Sequence, residues 1–97
     1  MNRDLPKCGE VWKHFKNQYY YILAIGHHSE SNEKLVVYQK IPTELAYTVM
    51  DKARKVNIKV DDPCIRPLEM FMSEVDHVKY PKVEQQYRFE RIDKING

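Results

Sequence analysis

The run Tyr19-Tyr20-Tyr21-Ile22-Leu23-Ala24-Ile25 constrains this chain most: seven consecutive apolar or aromatic residues, dominated by β-forming types. A membrane-spanning helix needs about 20 such residues, so the run reads instead as a β-strand. Segment 10–15 alternates ahead of it, and Lys16-Asn17-Gln18 separates the two, which predicts a hairpin. Asn17 is the residue there that tolerates a left-handed backbone.

After Gly26 the polar stretch His27-His28-Ser29-Glu30-Ser31-Asn32-Glu33 predicts a second turn, and residues 34–41 a third strand. Alternation puts Leu35, Val37 and Ile41 on one face and Val36 and Tyr38 on the other. Both faces are partly apolar, which points to a curled sheet.

The period changes at Pro42-Thr43. Leu45, Ala46, Val49, Met50, Ala53 and Val56 recur at three- and four-residue spacings, which predicts an amphipathic helix over residues 43–56 with Thr43 as its cap. Val56, Ile58 and Val60 also alternate, so a long hairpin is the competing reading of the same insertion. Asp61-Asp62-Pro63 reads as a turn, Cys64-Ile65 as a short strand, and Pro67 opens a helical turn whose apolar face is Leu68, Phe71, Met72 and Val75. Tyr80-Pro81 interrupts the chain, and residues 87–92 alternate as a closing strand. The fold class is therefore mainly β in a single domain of 97 residues, enough for one core but not for two lobes.

Charge narrows the partners. Six basic residues face five acidic ones up to Thr48, and ten face nine after it, for a net charge of +2 with no basic lobe. A domain held to nucleic acid by phosphate neutralisation normally clusters its cations, so this distribution argues against nucleic-acid binding. The first residues lack the apolar core of a secretory leader, and Cys8 and Cys64 form no C-x-x-C pair or disulfide framework. The expectation is a cytoplasmic protein with two reduced thiols and no membrane contact.

Three stretches occur together: Lys13-His14-Phe15-Lys16-Asn17-Gln18-Tyr19-Tyr20 with His28-Ser29-Glu30, then Leu35-Val36-Val37-Tyr38-Gln39, then Arg66-Pro67-Leu68-Glu69-Met70-Phe71. In combination they resemble the bacterial family of domain of unknown function 1653, over residues 9–41 and again over residues 64–71, with a weaker echo over residues 87–92. The resemblance implies a small SH3-like barrel, here a curled sheet or partly open barrel, and assigns no biochemical role. Residues 42–63 replace what is a short glycine-containing connection in the family, and Asn17 stands where relatives usually carry Gly.

Each candidate group has an ordinary structural reading beside the functional one. His28, Ser29 and Glu30 put an imidazole, a hydroxyl and a carboxylate at a strand end, the usual place for a binding site; all three are also plain turn residues. Arg66, set by the extended backbone before Pro67, suits bidentate capture of a carboxylate or phosphate, or an internal ion pair with Glu69 or Glu30. Tyr38 and Gln39 point to opposite faces, so at most one faces the core and the other can reach the surface of His28, which keeps both as candidate site residues; a buried Gln39 needs partners for its amide. Trp12 and Tyr19, Tyr20 and Tyr21 are better explained as core than as a peptide groove. His14, His27, His28 and His77 stand at no recognised metal spacing, and Gly9, Gly26 and Gly97 form no phosphate loop, so no metal and no cofactor is expected.

The leading expectation is a non-enzymatic binding module that presents His28, Glu30, Tyr38 and Arg66 to a small anionic ligand or a peptide segment. The alternatives are a small enzyme with His28 as general base and Arg66 as clamp, and a weakly nucleic-acid-binding barrel. The helix at 43–56 also offers a face for pairing with a second copy.

Overall fold

The computed structural model describes residues 3–51 and 53–93. Five strands form one antiparallel sheet: β1 (Val11–His14), β2 (Gln18–His27), β3 (Lys34–Ile41), β4 (Cys64–Pro67) and β5 (Phe89–Ile92), in the order β4-β3-β2-β1-β5. Helix α1 (Thr43–Met50) follows β3, and the single turn α2 (Leu68–Phe71) follows β4 directly. None of the described helices is long and apolar enough to cross a membrane.

The first hairpin closes as its sequence demands. Asn17 adopts φ 63° and donates its N–H to the His14 carbonyl at 2.9 Å, leaving His14 paired with Gln18 as the last rung. Register between β2 and β3 shifts between Ile22 and Ala24, an irregularity of the kind that sharpens local twist and bends the sheet.

Curling is demonstrated by side chains. Strands β4 and β5 are the outermost, four spacings apart, which in a flat sheet is roughly 19 Å. Yet the guanidinium of Arg66 on β4 lies 5.9 Å from the ring centre of Phe89 on β5. Tyr38 on β3 and Phe89 are also within ring contact at 5.4 Å. Among the described residues β4 and β5 share no ladder, so the sheet is open rather than a closed barrel. The gap is crossed by a short pairing in which Val75 N–H donates to the Gln86 carbonyl and Arg88 N–H to the Ser73 carbonyl, both at 2.9 Å.

Each face of the sheet carries its own core, which is why the third strand is apolar on both sides. On the concave face Trp12, Ile22, Val36, Tyr38, Phe71 and Phe89 are buried together, with Tyr20, Leu68 and Met72 packed around them. Phe71 stacks on Phe89 at 4.1 Å and meets Trp12 edge-on at 5.4 Å; such pairs add about 0.5–1.5 kcal/mol each beyond burial. Glu10 accepts the indole N–H of the buried Trp12 at 3.1 Å. On the opposite face Val11, Ile41 and Ala46 are buried, with Leu45, Val49, Met50 and Ile58 packed against them.

The insertion is helical, not a hairpin, but shorter than its periodicity predicts. Pro42 rather than Thr43 holds the cap position, and the helix stops at Met50. Asp51 turns extended there and its carboxylate accepts the Ala53 N–H at 3.1 Å, offering the chain a turn in place of another helical rung. The apolar stripe of α1 is spent on the sheet, so pairing with a second copy would fall to the outward side, where Tyr47 is exposed.

Arg3 braces the concave side. Its guanidinium donates to the carbonyls of Met72 at 2.8 Å and Phe89 at 2.7 Å and sits 3.6 Å above the Tyr87 ring.

Candidate functional site

The predicted site residues fall in three places. His28, Ser29 and Glu30 lie exposed in the turn beyond the last β2–β3 rung, His27 with Lys34. There the His28 Nδ1 accepts the N–H groups of Glu30 at 3.1 Å and Ser31 at 3.3 Å, so one ring nitrogen is occupied in shaping the turn. Gln39 faces the α1 side, where its side-chain oxygen accepts the Asp61 N–H at 2.9 Å. Tyr38, Arg66 and Glu69 belong to the other side and its rim: Tyr38 is buried, Arg66 half-buried and Glu69 exposed on α2. Among the described residues Arg66 forms no ion pair with Glu69, with Glu30 or with any other carboxylate.

Arg66 opens instead into a cavity of about 300 Å³ lined by His14, Phe15, Lys16, Arg66, Asp76, Lys79, Tyr80 and Arg88. Local structure explains each wall. Position 14 shares the concave face with Trp12 because strand side chains alternate, and it pairs with Phe89 across the β1–β5 ladder. Lys16 lies in the Asn17 turn, and Arg66 on β4 pairs with Val36 and so projects to the concave side. Asp76, Lys79 and Tyr80 come from the turn after α2, which the Asp76 carboxylate shapes by accepting the N–H groups of Val78 at 3.0 Å and Lys79 at 3.2 Å. Arg88 sits just before β5.

Four cations and one carboxylate therefore meet at one concavity, and none of the four is within ion-pair distance of a carboxylate among the described residues. The field they create is visible on His14. Its pKa is lowered from 6.5 to about 4, first by burial and then by the charges of Lys16, Arg66 and Arg88. His14 is consequently neutral at physiological pH, and because Nδ1 accepts the Lys16 N–H at 3.1 Å the single ring proton resides on Nε2. Phe15 at 4.3 Å, Phe89 at 4.9 Å and Tyr20 at 6.3 Å surround the imidazole. Burial raises the Tyr38 hydroxyl pKa, while Arg66 pulls it the other way; the same two influences, with Cys64 adding to the rise, act on Tyr20.

Sequence reading found Arg66 and missed its neighbours. The signal for His14 was its even spacing from Trp12 on an alternating strand, which already puts it beside the core aromatics. Lys79 and Arg88 carried no comparable signal. Among the described residues no group of three or more His, Cys, Asp or Glu side chains converges as a metal site.

A family model described as a protein of unknown function, DUF1653, matches residues 10–91, most of the chain, and the chain belongs to that family. No curated protein and no solved structure matches it.

Proposed function

We propose that this member of the DUF1653 family is a binding module that captures a small anionic ligand in the cavity around Arg66. The carrying observation is the set of cations, Lys16, Arg66, Lys79 and Arg88, gathered at one concavity with no carboxylate within ion-pair distance of any of them among the described residues. Holding like charges together is unfavourable, and an anion that enters relieves the repulsion while gaining charge-assisted hydrogen bonds from two guanidinium groups. Neutral His14 supplies a donor without adding to the repulsion. The open cavity, with Phe15 and Tyr80 in its wall, suits recognition of a ligand.

Calorimetric titration of the chain with inorganic phosphate, ribose 5-phosphate and citrate at low ionic strength tests this. Binding by at least one of them is expected, weakened tenfold or more by Arg66→Ala, which is about 1.4 kcal/mol, and weakened by added salt. Equal affinity in Arg66→Ala, or no binding of any anion, overturns the proposal.

A further inference from the structure

The cavity is not lined by charge alone. Phe15 and Tyr80 are both half-buried and stand with ring centres 5.0 Å apart, tilted at 58°. The Lys16 ammonium is 5.6 Å from the Tyr80 ring and 5.9 Å from the Phe15 ring, and the Lys79 ammonium is 5.4 Å from Tyr80. Aromatic surface and positive charge are thus interleaved, so that a ligand reaching the cations also meets the rings. An aliphatic dianion would use the cations and leave the rings against water.

Asp76 adds a third element. A carboxylate beside an anion site repels the anion unless it has a hydroxyl to accept, and Asp76 retains acceptor capacity beyond the two N–H bonds its carboxylate already takes. Cations, an aromatic wall and one carboxylate match the three chemical parts of a mononucleotide: phosphate, base and sugar hydroxyl. A volume of about 300 Å³ lies at the lower end for small-molecule sites, which favours one nucleotide unit over a dinucleotide.

Resting on the anion-site reading above, we infer that the ligand is a nucleoside monophosphate, its phosphate held by Arg66, Arg88 and Lys16, its base against Phe15 and Tyr80, and a sugar hydroxyl on Asp76. Four cations are better matched by the doubly charged phosphate monoester than by a single carboxylate. Stacking on an aromatic side chain is sequence-tolerant, so the wall accepts any base and the phosphate supplies most of the selectivity.

The probes are adenosine 5′-monophosphate, ribose 5-phosphate and adenosine, titrated separately into the full chain and into Tyr80→Leu and Arg66→Ala. The nucleotide is expected to bind at least tenfold tighter than ribose 5-phosphate, and Tyr80→Leu is expected to abolish that advantage while leaving ribose 5-phosphate within about twofold of its original affinity. Equal affinity for the two phosphates, each weakened by Arg66→Ala, overturns the nucleotide assignment and leaves the anion site standing. Adenosine binding as tightly as its monophosphate, or an advantage that survives Tyr80→Leu, also overturns it. No binding of either phosphate overturns the nucleotide assignment, and the anion site falls with it when inorganic phosphate and citrate also fail to bind.

Discussion

His14 and His28 close the two turns of the meander in the same manner, each using Nδ1 to accept a backbone N–H from two residues further on, at 3.1 Å in both cases. Their surroundings could hardly differ more. His28 is exposed among Ser29, Glu30 and Ser31, whereas His14 sits between Phe15 and Phe89 under the charges of Lys16, Arg66 and Arg88. Local chemistry makes the turn; what the imidazole can do beyond that is set by residues far away in the chain. A site on this fold is therefore a property of the curl that brings the sheet edges together, not of the hairpin that carries the histidine.

The comparison breaks most completely at Phe89, which supplies the wall that buries His14. Phe89→Ala is expected to destabilise the chain by about 3–5 kcal/mol in urea unfolding, and the His14 pKa should rise toward the ordinary range, since burial is the first cause of its depression. A cost below about 1 kcal/mol would mean that the concave core is far less closely packed than its ring contacts indicate.

Acid sharpens the contrast next. With His14 held at about 4 when folded and 6.5 as its ordinary value, the unfolded chain binds more protons between those limits. The stability His14 contributes is present above pH 6.5 and lost progressively as pH falls toward 4. Urea midpoints measured across that interval should therefore rise with pH, and His14→Asn, whose side-chain oxygen can still accept the Lys16 N–H, should flatten this part of the dependence. An unaltered slope in His14→Asn would place the titration elsewhere.

A smaller effect isolates the charges. Lys16→Ala removes the largest of the cationic influences on His14, so the imidazole pKa followed by NMR should move upward while the turn persists through Asn17. No movement would show that the cations are screened from the ring. Smallest of all, Ser29→Ala at the exposed turn should leave stability within about 0.5 kcal/mol and anion affinity unchanged; a loss of affinity there would restore the His28 turn as the site.

Much of the architecture was legible because it is local. Two-residue alternation marks β1 and β3, Asn17 announces the tight turn, and Pro67 locates α2. Where α1 ends was not legible, because Ala53 and Val56 continue the helical spacing past the point where the Asp51 carboxylate captures the Ala53 N–H. Arg66 was legible as a candidate from its place before Pro67. The rest of the cavity was not: its four cations stand far apart at positions 16, 66, 79 and 88, and Arg66, Lys79 and Arg88 each have an acid within three or four residues along the chain, although Lys16 has none between Glu10 and Glu30. An even distribution of charge in sequence became a concentrated one in space, and only the curl of the sheet makes that conversion.

Arg3 carries a different lesson. It lies outside residues 10–91, where the family model matches, yet it ties the carbonyl of Met72 to that of Phe89 while its guanidinium lies over the Tyr87 ring. The span that the family model matches and the span tied together by hydrogen bonds are therefore not the same. Excising residues 10–91 alone would cut a guy-wire at the seam of the sheet, and the rim of the cavity around Arg66 is hung from that seam.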